Sequence, residues 1–151
     1  MIKIITVGSL KEKYLKEAQE EYLKRISKYH NIEIIEVKDE GITEVNKALK
    51  KEEESIKKHI TGKEYIITLD IKGKEISSTE LALKINNILI ENSNITFIIG
   101  GSYGLSNEIK KLANYSLSFS KMTFPHQLFR IIFLEQLYRS FKINNNESYH
   151  K

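Results

Sequence analysis

Hydrophobic positions along the chain alternate between two periods, and each switch of period marks an element. Ile2-Lys3-Ile4-Ile5-Thr6-Val7 is a β-branched run stopped by Gly8, the pattern of a buried strand. Tyr14, Leu15, Ala18, Tyr22 and Ile26 then recur every three or four residues, which predicts an amphipathic helix ending near Tyr29. Ile32-Glu33-Ile34-Ile35-Glu36-Val37 reads as a second strand. Thr43 through Ile60 predicts a charged helix with Val45, Leu49, Glu53 and Ile56 along one face. Tyr65-Ile66-Ile67-Thr68-Leu69 is a third strand, closed by Asp70 and a Lys72-Gly73-Lys74 turn. Ser77 followed by Glu80 is a capping-box pattern and starts a helix that runs to about Ile90.

Ile95-Thr96-Phe97-Ile98-Ile99 is the fourth strand and breaks into Gly100-Gly101-Ser102-Tyr103-Gly104. Ser106, Glu108, Ile109 and Leu112 open a short helix. Tyr115 to Phe119 alternates as a short fifth strand, and from Pro125 a last helix runs to about Ile143. Strands alternating with helices over 151 residues predict a single α/β domain, residues 1–151, whose mostly parallel sheet is covered on both faces. In the last helix Leu128, Phe129, Ile131, Ile132, Phe133, Leu134, Leu137, Tyr138 and Phe141 leave almost no polar face. A monomer would then expose Phe129, Phe133, Leu137 and Phe141, so this helix predicts a homodimer.

Composition narrows the chemistry. No cysteine means no disulfide, no thiol nucleophile and no cysteine-based zinc site, in keeping with a cytoplasmic protein. The run Glu52-Glu53-Glu54 reads as a solvated helix face, not a metal site, and no metal is expected. No apolar run approaches the ~20 residues of a membrane span, and Met1-Ile2-Lys3 leads straight into a strand, so neither membrane nor signal peptide is expected. The net charge of +4 adds a weak preference for a polyanionic partner.

Two loops carry the functional signal. The glycine run after the fourth strand is neither a Walker loop nor a Gly-x-Gly-x-x-Gly dinucleotide motif. Leu117-Ser118-Phe119-Ser120-Lys121-Met122-Thr123-Phe124-Pro125-His126 ends at the one proline of the chain. Both sit where the carboxyl ends of parallel strands present ligands.

Together with Ile66-Ile67-Thr68-Leu69-Asp70, Glu135-Gln136-Leu137-Tyr138-Arg139 and the closing Tyr149-His150-Lys151, these segments resemble the RlmH family of minimal SPOUT methyltransferases over the whole length. The resemblance implies a trefoil-knotted α/β fold, S-adenosylmethionine as methyl donor and an obligate homodimer. It implies as substrate a pseudouridine in helix 69 of large-subunit (23S) ribosomal RNA, methylated at N3 on the assembled ribosome. By position it places the methyl donor on Leu69, Gly100, Phe119, Ser120, Lys121, Met122, Thr123 and Phe124. Loops of Leu, Gly, Met and Phe suit an adenine ring, which needs an apolar slot with backbone donors and acceptors. Where the family carries a proline before Tyr-His, this chain has Glu147-Ser148, so a less rigid tail is expected.

Pseudouridine N3 carries a proton that must leave, and His126, Glu135, Arg139 and His150 compete to accept it or to stabilise the resulting anion. Arg139 suits phosphate or uracil carbonyls, His150 proton transfer, and Tyr149 stacking on a splayed base. Arg130, Arg139, Lys142 and the tail are the expected RNA contacts, because a chain this small leaves no room for a separate RNA-binding domain. Two other readings stay open at this point: a non-catalytic ribosome-associated factor and a nucleotide-binding regulatory module.

Overall fold

The structure, a computed structural model, describes residues 1–41 and 44–151. Five parallel strands, β1 (Ile2–Val7), β2 (Ile32–Val37), β3 (Tyr65–Glu75), β4 (Ile95–Ile99) and β5 (Tyr115–Ser118), lie in the order β2-β1-β4-β3-β5. The helices are α1 (Lys13–Ile26), α2 (Val45–Lys57), α3 (Ser78–Glu91), α4 (Asn107–Leu112) and α5 (His126–Asn144). The expected start of α2 at Thr43 lies outside the described residues.

Strand alternation distributes the apolar side chains to two cores. Ile2, Ile4, Ile67, Leu69, Phe97 and Ile99 face one way, against Leu15 and Ile26 of α1, Ile85 of α3 and Phe133, Leu134 and Leu137 of α5. Ile5, Val7, Val37, Ile66 and Ile98 face the other way, against Ile56 of α2 and Ile109 of α4. Both sheet faces are therefore dry, which is why the strands read as near-continuous apolar runs. The Ser77–Glu80 capping box forms in both directions, each bond 3.1 Å long.

Three expectations are corrected. The third strand does not close at Asp70: after an irregularity between Leu69 and Lys74 it pairs with β5 again, Lys74 with Leu117 and Glu75 with Ser118. Gly73 permits this, since a Cβ there would stand 2.8 Å from the Ser116 backbone. Glu52 and Glu53 are not solvated but buried, with only Glu54 of the three exposed. Glu53 is neutralised by Lys50 and Lys57 and accepts the Ser106 hydroxyl at 2.8 Å, tying α2 to the start of α4. Glu52 accepts the Glu40 N–H at 3.1 Å, and burial pushes its carboxyl up from the ordinary range.

The third correction concerns α5. Phe133 and Leu137 are fully buried and Phe141 nearly so within a single chain, because α5 lies between α1 and α3 on the sheet. Much of its apolar surface is thus covered by its own domain, with Leu128 near its start left exposed. Those three side chains therefore do not require a second subunit.

Candidate functional site

The carboxyl ends of β3, β4 and β5 lie side by side, and the loops leaving them enclose a cleft of about 410 Å³. That volume falls among those of small-molecule sites. Leu69 supplies its floor, Gly100, Gly101 and Gly104 one wall, and the run from Phe119 to Phe124 the other, with Phe129 behind. Of the eight residues expected to hold the methyl donor, all but Lys121 line this cleft. Ser102, His126 and Phe129 line it too. Phe129 went unassigned in the sequence because its helical pattern reads as core, although its place one turn after Pro125 is a usable signal.

Each wall is built by local chemistry. Gly100 is buried at the end of β4, and a Cβ there would come within 2.5 Å of the Gly104 carbonyl oxygen, so the loop closes only with glycine at this position. Gly104 donates back to the Gly101 carbonyl at 3.0 Å and adopts φ +76°, which leaves Tyr103 free of the strained conformation. On the opposite wall the Ser118 hydroxyl donates to the Ser120 carbonyl at 3.2 Å, and the Ser120 hydroxyl accepts the Met122 N–H at 3.0 Å. Phe119 meets Phe129 edge-on at 5.1 Å, and Phe124 lies 6.0 Å from the same ring. Met122 is 77% exposed and Phe124 38%, large apolar side chains left at the rim of a cleft with room for a ligand. An apolar aromatic slot beside exposed loop backbone fits an adenosyl group and its polar tail.

The other candidate residues assemble elsewhere. Arg139 donates through Nη2 to Glu135 Oε1 at 2.5 Å, and the Tyr149 hydroxyl donates to the same oxygen at 3.1 Å. The guanidinium lies 4.8 Å from the centre of the Tyr149 ring. Its Nη1 reaches His150 Nδ1 at 3.0 Å. A guanidinium only donates, so Nδ1 is the acceptor and a neutral His150 carries its proton on Nε2, offering an N–H outward. The Glu135 carboxylate holds Arg139 still more firmly protonated. Burial and the bond to Glu135 push the Tyr149 phenol up, so Tyr149 stays a neutral donor. These four residues thus form one cluster.

The tail reaches that cluster through a tight helix end. Asn146, at φ 54°, follows the Asn145 cap; its N–H donates to Ile143 and that of Glu147 to Lys142, the hydrogen bonds of a Schellman motif. Glu147, standing near the family's proline, accepts Tyr29 and Lys142, each at 2.8 Å. Lys142 is accordingly held in the tail's own tether.

Arg130 is corrected outright as an RNA contact. It is 1% exposed, donating to Glu36 at 2.6 Å, to Gln19 at 3.2 Å and to the Gly8 carbonyl at 3.0 Å. It ties α5 to the ends of β1 and β2. Among the described residues no cluster of His, Asp or Glu is placed to hold a metal, and no helix is long and apolar enough to cross a membrane.

The cleft and the cluster belong to opposite halves of α5. Ten residues at ~1.5 Å each separate Arg139 from Phe129 by about 15 Å along the axis.

The chain has counterparts among known proteins. Residues 1–150 match the family described as "Predicted SPOUT methyltransferase". A Methanococcus maripaludis protein named "Putative ribosomal RNA large subunit methyltransferase H" is 55% identical, with 99% of each chain covered. A Clostridium botulinum protein named "Ribosomal RNA large subunit methyltransferase H" is 54% identical over the same share of both chains. Among solved structures, one described as a probable methylase family protein from Haemophilus influenzae Rd KW20 superposes with a TM-score of 0.58. At 17% identity, and with 99% of this chain and 70% of that one covered, it bears on the fold alone. The chain belongs to the SPOUT methyltransferase family.

Proposed function

We propose that this protein transfers a methyl group from S-adenosylmethionine to N3 of a pseudouridine in helix 69 of 23S ribosomal RNA, acting on the assembled ribosome in the cytoplasm. The cleft at the ends of β3, β4 and β5 carries the reading, supported by the names of relatives more than half identical to this chain. S-adenosylmethionine supplies an already activated methyl group, so the protein's contribution is to hold and orient. Leu69, Gly100 and the loop from Phe119 to Phe124 would enclose the donor, and placement of this kind is worth up to about 7–11 kcal/mol of a barrier.

The substrate side falls to the cluster. Arg139, held in orientation by Glu135, presents its remaining donors to a phosphate or a uracil carbonyl. The outward N–H of His150 suits charge developing on that carbonyl, and Tyr149 offers a ring on which a base could stack.

The separation of about 15 Å along α5 supports a homodimer in which the tail cluster of one protomer completes the cleft of the other. The apolar side chains left exposed near the cleft, Met122, Phe124 and Leu128, support the same arrangement. The trefoil-knotted closure implied by the resemblance belongs to this reading. Transfer of tritiated methyl from S-adenosylmethionine to isolated ribosomes tests it, with the label expected in large-subunit RNA. Ribosome binding without labelled RNA would instead favour a docking factor.

A further inference from the structure

The proposed reaction releases a ring N–H proton, and the acceptor of that proton has not yet been assigned. Two ionisable side chains line the donor cleft among the described residues, Asp70 and His126. Asp70 is engaged: Lys110 stands 3.4 Å from its Oδ2, and its Oδ1 accepts the Lys72 N–H at 3.1 Å. His126 is differently held. Its Nε2 lies 2.7 Å from the Val7 carbonyl oxygen at the end of β1. A carbonyl can only accept, so Nε2 carries the proton and the neutral ring leaves a lone pair on Nδ1. Among the described residues no protein group occupies that nitrogen, and it is not among the buried unpartnered atoms.

Position adds a second argument. A groove of about 960 Å³ opens beyond the ends of β1 and β2, and among the described residues only Ser102 and His126 line both that groove and the donor cleft. An acceptor base entering by the groove would reach the donor cleft past this histidine. His150, by contrast, spends its Nδ1 lone pair on Arg139.

Resting on the methyltransferase reading above, we propose that His126 is the general base, taking the N3 proton of the substrate base on Nδ1 while Val7 fixes the ring. The N–H bond breaks to Nδ1, and the electron pair left on nitrogen forms the bond to the methyl carbon. The carbon–sulfur bond of the donor breaks with its pair remaining on sulfur, giving a neutral thioether. The imidazolium then returns its proton to water in the groove. Atoms and charge balance: one positive charge moves from sulfonium to imidazolium.

The alternative to be excluded is that His126 merely tethers the start of α5. His126→Gln separates the two roles, because a glutamine amide can still donate to the Val7 carbonyl but cannot accept a proton. Single-turnover methyl transfer to ribosomes should fall at least ~100-fold in His126→Gln, the lower range of general-base contributions. S-adenosylmethionine affinity by calorimetry should stay within about threefold of wild type, a change below about 0.7 kcal/mol. Added imidazole should partly restore His126→Ala. In the free wild-type protein, long-range proton–nitrogen NMR spectra should place the ring proton on Nε2.

Near-wild-type transfer by His126→Gln, or a ring proton on Nδ1, overturns the proposal in favour of the tether. Loss of donor binding in His126→Gln overturns it in favour of a cofactor contact. If the wild-type protein itself transfers no methyl group, the functional reading fails and this proposal with it.

Discussion

The hydroxyl of Tyr149 and the guanidinium of Arg139 converge on one oxygen, Oε1 of Glu135, from 3.1 and 2.5 Å. A chain-terminal segment is thereby bound to a helix interior through a charge-assisted contact. The hydroxyl and the guanidinium contribute to that contact unequally, which allows them to be told apart. Tyr149→Phe removes a neutral donor and should lower methyl transfer several-fold, about 1 kcal/mol. Arg139→Lys loses the planar fork and should cost about 2–3 kcal/mol, some 30- to 150-fold in rate. Equal losses in single-turnover assays on ribosomes would contradict this ranking.

Deletion of Ser148 to Lys151 removes Tyr149 and His150 but no residue of the donor cleft. Methyl transfer should vanish while S-adenosylmethionine binding and the oligomeric state persist. A truncated protein with full activity on ribosomes would return the tail to the status of a solvated terminus.

Gly100 and Gly104 should respond differently to a single methyl group. In Gly100→Ala the Cβ meets the Gly104 backbone at 2.5 Å, the loop has to move, and donor affinity should drop at least tenfold, about 1.4 kcal/mol. In Gly104→Ala the space is open and the cost is the positive φ, about 1–2 kcal/mol of stability with a smaller effect on affinity. Calorimetry and thermal unfolding of the two variants measure both quantities. Undiminished binding in Gly100→Ala would remove the glycine loop from the donor site.

If a site is completed by the partner's cluster, light scattering should give twice 17.6 kDa. At a donor concentration too low to saturate Gly100→Ala, a mixture of Gly100→Ala and Arg139→Ala, each impaired alone, should then regain activity, since every mixed dimer keeps one site with both halves intact. A mass of 17.6 kDa at micromolar concentration, or mixed dimers without activity, would confine the chemistry to a single chain.

Glu64 should contribute to the response to acid. Burial alone would raise its carboxyl, but the Thr61 hydroxyl, the backbone N–H groups of Glu64 itself and of Thr61, and the nearby Lys3 outweigh that and hold it at about 2. A carboxyl held below its ordinary 4.5 stabilises the fold above that pH, and the contribution fades as pH falls from 4.5 towards 2. The shift corresponds to something of the order of 3 kcal/mol. Glu64→Gln should therefore be less stable than wild type in urea at neutral pH, with the gap narrowing near the acid end of that window. A gap independent of pH would show that the carboxylate charge is not what Glu64 contributes.

Much of this protein was legible one element at a time. The short apolar, β-branched runs of Ile2–Val7 and Ile95–Ile99, the Ser77–Glu80 cap and the glycine run after β4 are local signals, and local steric and hydrogen-bonding rules produce them whatever surrounds them. The loops that line the cleft were legible as loops for the same reason: each is a short stretch at a strand end, and a parallel sheet brings such ends together.

Tertiary structure decided what depends on residues far apart in sequence. Glu53 looked like part of a solvated acidic run until Lys50, Lys57 and Ser106 closed on it. Arg130 looked like a free cation until α1, β2 and Gly8 supplied its partners, from 94 to 122 residues away. The apolar girth of α5 read as a dimer face because a sequence pattern records how much of a helix must be dry, not what dries it. The separation of cleft from cluster along that helix is likewise a matter of three-dimensional distance. Burial and proximity are pairwise properties of the folded chain, set when the sheet order β2-β1-β4-β3-β5 forms, and no local pattern encodes that order.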